Sequence, residues 1–129
     1  MAMWRILGHT NYECTEGPEQ DLGTFNDFDS AVKAFVSMTQ DARVLDFSIL
    51  DDQLDEWMKD PDWRKDIYYG GFYGGTVNLY DNDRLVLQVL FARDPYSKLT
   101  NVGEFEFGTD FNEEEKNTFL FALQTSENQ

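Results

Sequence analysis

The stretch Thr76–Ala92, TVNLYDNDRLVLQVLFA, constrains what this chain can fold into more than any other. Leu85, Leu87, Val89 and Phe91 fall on one face of an extended strand while Arg84, Gln88 and Ala92 fall on the other, which is the two-residue period of a half-buried β-strand. Asp81-Asn82-Asp83 interrupts the run. Asn and Asp tolerate left-handed backbone angles and bond neighbouring amides, so Thr76–Tyr80 and Arg84–Ala92 are expected to fold back on each other as a hairpin. Gly103–Gly108, GEFEFG, supplies a third strand with Phe105 and Phe107 inward and Glu104 and Glu106 outward. The expected spine is therefore an antiparallel meander with a negatively charged outer face.

Met3–Leu7 and Tyr12–Thr15 read as short strands around Gly8-His9-Thr10-Asn11, a four-residue hairpin loop. Glu16-Gly17-Pro18-Glu19 reads as a turn, and Leu22–Phe25 as a strand that runs straight into a helix capped by Asp27 or Asp29. Ala31, Ala34, Phe35 and Met38 share the apolar face of that helix, and Lys33, Ser37 and Gln40 look outward. The run Leu22–Val36, LGTFNDFDSAVKAFV, resembles the strand-to-helix joint of plant AP2-type DNA-binding domains, which carry Leu-Gly-Thr-Phe before an Ala-rich helix. The resemblance is confined to that joint. The preceding strands lack the basic residues with which that family reads DNA, so neither its fold nor its function is implied for the whole chain.

Val44–Phe47 reads as a further strand. Ser48-Ile49-Leu50-Asp51 has the Ser-x-x-acid form of a helix start, with Leu50, Leu54 and Trp57 inward, Asp52, Asp55, Glu56 and Lys59 outward, and Asp60-Pro61 as the stop. In Tyr68–Gly75, YYGGFYGG, two Gly-Gly pairs point to a bulge, a bend or the close approach of another backbone. Asn112-Glu113-Glu114-Glu115 reads as a capping box for a last helix docked by Phe119, Leu120 and Leu123, and Thr125–Gln129 as a frayed polar tail. The expectation is one α+β domain over all 129 residues, an antiparallel sheet packed against two or three helices.

Charge bounds the function more sharply than any motif. Twenty-five Asp and Glu against ten Lys and Arg give a formal net charge of −15, which repels nucleic acid and anionic membranes and attracts basic macromolecules. Eleven Phe, six Tyr and three Trp argue against disorder. The lone Cys14 excludes an internal disulfide, and the N-terminal residues form no signal peptide, so a cytoplasmic protein is expected. One Cys and one His, His9, make neither a tetrahedral zinc site nor a positioned nucleophile–base pair. Asp81-Asn82-Asp83 and Asp110-Phe111-Asn112 lack the Gly and Glu positions of a calcium loop, and the Gly-rich segment lacks the Lys-Ser or Lys-Thr of a phosphate loop. No cofactor or metal is expected.

Residues Asp41–Asp62 hold eight acids against Arg43 and Lys59, and Glu104–Glu115 hold six with no base. Such a surface can be a solvated, salt-adapted face. It can also imitate nucleic acid, because outward carboxylates two apart on a strand lie roughly 6–7 Å apart, and i, i+4 pairs on a helix about 6 Å, comparable with neighbouring phosphates. The leading expectation is a non-enzymatic inhibitor or decoy that binds a basic, nucleic-acid-handling protein such as a nuclease, with Asp51, Asp52, Asp55, Glu56, Glu104, Glu106, Glu113 and Glu114 as contacts. Immunity proteins of nuclease toxins and phage anti-defence proteins use the same physics; the analogy is one of charge. The alternative is a small-ligand module, monomeric or oligomeric, using Tyr68, Tyr69, Phe72 and Tyr73. A hydrolase with a carboxylate pair ranks third.

Overall fold

The structure, a computed structural model, describes residues 3–12, 15–40, 44–60, 73–94, 97–108 and 112–127, with backbone alone for residues 15, 102–104, 126 and 127. In chain order the elements are β1 (Trp4–Tyr12), β2 (Thr15–Glu16), β3 (Gln20–Phe25), α1 (Phe28–Thr39), α2 (Ser48–Trp57), β4 (Gly74–Asp81), β5 (Arg84–Arg93), β6 (Thr100–Phe107) and α3 (Glu113–Glu127). The strands form one six-stranded antiparallel sheet in the order β2-β1-β4-β5-β6, with β3 also on β1. β3 pairs with Trp4–Gly8 and β2 with Asn11 and Tyr12, so the two divide one edge of β1. The chain is an α+β domain, as its sequence pattern implies.

The expected meander is present, with Asn82 in the turn at φ 53°. Its register shifts in both ladders, at Leu79/Tyr80 between β4 and β5 and at Val89/Phe91 between β5 and β6. Leu79 pairs with Leu87 but Tyr80 with Leu85, so Val86 is an extra residue in a bulge. The bulge reverses the alternation behind it: Leu87, Val89 and Phe91 face the helices together with Arg84, whereas Leu85 joins Tyr80 on the opposite face. Leu85 thus leaves the face that strict alternation assigns to it.

Gly8–Asn11 is no loop. Trp4–Tyr12 is one strand whose ladder with β4 runs unbroken from Trp4↔Asp81 to Asn11↔Gly74. Gly8 serves close packing, since a Cβ there would lie 2.6 Å from Leu45 Cδ2 and 3.0 Å from the Thr76 carbonyl oxygen. Gly75 does the same on β4, where a Cβ would meet Leu45 Cδ1 at 2.5 Å, so this second glycine pair marks the close approach of a side chain, while Gly70-Gly71 lies outside the described residues. Leu45 and Phe47 reach this spot from an irregular segment, and the expected strand Val44–Phe47 is absent because its side chains plug the sheet's helix face.

Among the described residues the core lies between that face and the helices. Ile6, Val77, Leu79, Val86, Leu87, Val89 and Phe91 meet Ala31, Val32, Phe35 and Val36 of α1, Leu50 and Leu54 of α2, and Phe119 of α3. Helix α1 is capped by Asp27, whose Oδ2 accepts from the Ser30 amide at 3.0 Å. Helix α2 has no such cap: Ser48 is already helical, and its amide and hydroxyl both donate to Asp46 Oδ1. In α3, Phe119 is buried and Leu123 packs on the core, but Leu120 turns outward, and the helix continues through Glu127 where a frayed tail was expected. Phe105 and Phe107 both contact Phe119 edge-on at 5.1 and 5.9 Å, although Phe107, at the sheet edge, stays 41% exposed. No described helix is long and apolar enough to cross a membrane.

Candidate functional site: the acidic face of helix α2

The expected contact acids whose side chains are described do not form one surface. Asp51, in the first turn of α2, points to the sheet, where Arg93 Nε donates to Oδ1 at 3.2 Å and Nη2 to Oδ2 at 2.9 Å. The same guanidinium donates to Thr100 Oγ1 at 2.8 Å and lies 4.5 Å from the Phe47 ring centroid. With the Asp51 side chain only 25% exposed, this bidentate pair is a bolt between α2 and β5. Asp55 accepts from Lys98 Nζ at 2.8 Å and Glu56 from Lys59 Nζ at 2.7 Å, both on the outer surface. The Glu56 carboxylate holds the Lys59 ammonium above its ordinary pKa, first through the hydrogen bond and then through charge. Asp52 is exposed and has no ion pair or side-chain hydrogen bond among the described residues.

Glu113 and Glu114 stand exposed in the first turn of α3, the positive end of the helix dipole. Their neighbour Glu115 forms the capping box: its amide donates to Asn112 Oδ1 at 2.8 Å and its Oε1 accepts from the Asn112 amide at 3.3 Å. Glu115 also receives Arg84, at 3.3 Å from Nη1 and 2.9 Å from Nη2, while Asp81 takes Nη2 at 3.1 Å. These bonds, Glu115 first, hold the guanidinium still more firmly charged than usual. The second helix bolt was not anticipated from the sequence, because the bulge that turns Arg84 toward α3 has no signature in a period-2 pattern. The pair also accounts for Asp81, whose calcium reading gives way to an ion pair in a hairpin turn.

Arg84 and Arg93 begin and end β5, so the two bolts are about 30 Å apart. The α2 acids and the α3 acids therefore occupy opposite ends of the sheet. Glu106, paired in register with Gln88, is exposed on the face away from the helices. The side chain of Glu104 lies outside the described residues, as do Tyr68, Tyr69 and Phe72 of the alternative ligand site, Cys14, and Asp110 and Phe111 of the second calcium reading.

Tyr73, the fourth residue of that alternative, is part of a ring cluster. Its centroid is 5.6 Å from that of Tyr12, edge-on, and 5.3 Å from that of Trp57. Tyr12 and Trp57 also line a groove of about 550 Å³ together with Asp52, Gln53, Glu56 and Asp60. A larger groove, about 870 Å³, runs between α1 and α3 past Val36 and the 71% exposed Phe121, with Asp29 and Lys33 balancing each other on its border. On the sheet face away from the helices, Asn11 Nδ2 donates to Thr76 Oγ1 at 2.9 Å and Gln88 Nε2 to Asn78 Oδ1 at 2.8 Å. These polar cross-strand pairs keep the buried Thr76 and Asn78 satisfied and had no counterpart in the sequence reading. Among the described residues no group of three or more His, Cys, Asp or Glu is placed to hold a metal ion.

Compared with known proteins, the chain matches no family model, no curated protein and no solved structure.

Proposed function

We propose that this chain is a non-enzymatic binding protein that occupies a basic surface on a nucleic-acid-handling protein, as an inhibitor or decoy, and that α2 is its contact element. One observation carries the reading. Asp55 and Glu56 lie in the last turn of α2, where no basic residue complements the negative end of the helix dipole, and Asp52 and Glu56 form a like-charged i, i+4 pair. The surface pairs of Asp55 with Lys98 and of Glu56 with Lys59 offset that cost only modestly, and Asp52 has no ion pair among the described residues. The Asp52–Glu56 spacing of about 6 Å is comparable with that of phosphates along a nucleic-acid backbone. A basic cleft built for phosphates would be steered toward such a face at a rate that falls with salt.

The reading is tested by affinity capture from a nuclease-treated lysate, eluted in salt steps and identified by mass spectrometry. One basic nucleic-acid enzyme, recovered at fixed stoichiometry in a narrow salt window and inhibited by the purified chain, is the expected result. Elution of assorted abundant basic proteins at low salt alone would sink the proposal. The Tyr12–Tyr73–Trp57 cluster supports a second reading, a site for an uncharged small ligand, which predicts saturable binding indifferent to salt and a raised melting temperature.

A further inference from the structure

The groove beside α2 combines features that select one kind of group. Trp57 and Tyr12 supply ring surface, and Tyr73, in contact with both, holds them in place. Asp52, Glu56 and Asp60 supply carboxylates on the same groove. Among the acids of α2, Asp51 and Asp55 are engaged by Arg93 and Lys98, on other elements. Asp52 has no such cation among the described residues, and the Lys59 partner of Glu56 is a side chain 71% exposed that a competing cation can displace. Aromatic faces attract a cation through the ring quadrupole, and neighbouring carboxylates bond its N–H groups. A guanidinium satisfies both demands at once, since it is flat enough to stack and carries a fork of donors; an ammonium offers neither the plane nor the fork. The α1–α3 groove, with one acid and one base on its border, has no comparable preference.

We infer that the Tyr12–Trp57 groove is an arginine-binding pocket, and that an arginine-bearing segment of the basic partner docks there with its guanidinium stacked on the rings and bonded to Asp52 and Glu56. This deepens the proposed function and rests on it. Complementarity of charge decides the occupant, because a second copy of a chain with net charge −15 would bring acids against acids.

The test is an NMR titration of the 15N-labelled chain with a short Gly–Arg repeat peptide and with its Gly–Lys counterpart. Shifts centred on the amides of Gln53–Trp57 and on the Trp57 indole N–H, with the arginine peptide about three- to fivefold tighter than the lysine one, are expected. Asp52→Asn should remove most of that preference, whereas Glu113→Gln with Glu114→Gln should leave it intact. Asp52 is an exposed side chain with no partner among the described residues, so its variant tests the pocket even if Trp57→Phe perturbs folding. Equal affinity for both peptides with shifts spread over every acidic surface would overturn the pocket while leaving the basic-partner reading in place. Absence of binding by either peptide at low salt would overturn both.

Discussion

Helix α2 presents Asp51 to Arg93 at one end of β5, and helix α3 presents Glu115 to Arg84 at the other end. Both bolts join a first-turn acid to an arginine on the helix face of the same strand. Beyond that the two helices differ. The remaining acids of α3, Glu113 and Glu114, sit where the helix dipole welcomes them, and Glu115 is cap and ion-pair partner together. Of the remaining acids of α2, Asp52 sits in its middle, and Asp55 and Glu56 sit in its last turn, where the dipole opposes them. Acidity at the start of α3 is thus favoured by the helix itself, whereas along α2 Asp51 and Asp55 depend on Arg93 and Lys98 from elsewhere in the fold, and Asp52 and Glu56 remain a like-charged pair on the outer face. Two patches that look alike by composition thus differ in how the fold uses their acids.

The largest effect expected is from Glu115→Ala. It removes the capping box and leaves Arg84 without its main partner at a carboxylate only 10% exposed, so unfolding free energy should fall by about 3 kcal/mol, read as a lower denaturant midpoint at unchanged slope. Asp51→Ala should cost less, about 1–2 kcal/mol, because Arg93 keeps Thr100 and the Phe47 ring and its former partner was closer to water. The double variant should be additive to within about 0.5 kcal/mol across the length of β5; strong coupling would show that the two ends are not independent.

Smaller effects sharpen the contrast. Asp52→Asn, which relieves the like-charged pair with Glu56 without breaking an ion pair among the described residues, should raise stability by about 0.2–0.5 kcal/mol, whereas Glu114→Gln should lower it by a similar amount. Equal signs would erase the distinction between the helices. The cap of α1 adds a pH test. The Ser30 amide holds the Asp27 carboxyl below its ordinary pKa, so its contribution is complete above the unfolded value of about 3.9 and is lost as pH falls through the lower folded value. Asp27→Ala should therefore melt earlier than wild type at neutral pH, and the two should converge below that window; a gap independent of pH would contradict the cap.

The meander, the Asp27 cap, the α3 capping box and the inward Leu50 and Leu54 could be read from the chain, because each is a local rule acting over a few residues. Other features rest on long-range contacts. Gly8 looked like a turn residue, yet it marks where Leu45 packs on β1, a contact between residues far apart in sequence. The bulge at Val86 redirected Arg84 and Leu85 without any change in composition. For the site, a sequence shows that Asp51 and Asp52 are both acidic. Only the helical rotation between them, with an arginine on the facing strand, turns one inward and leaves the other to water.

The most direct measurement is the association rate of the captured basic partner with two variants of identical net charge, Asp52→Lys and Glu114→Lys, followed across salt concentration. If α2 is the contact element, Asp52→Lys should slow association by about tenfold or more at low salt while Glu114→Lys changes it by about twofold or less. Equal slowing by both reversals would mean that the partner feels only the overall negative field, and the assignment of α2 would be wrong.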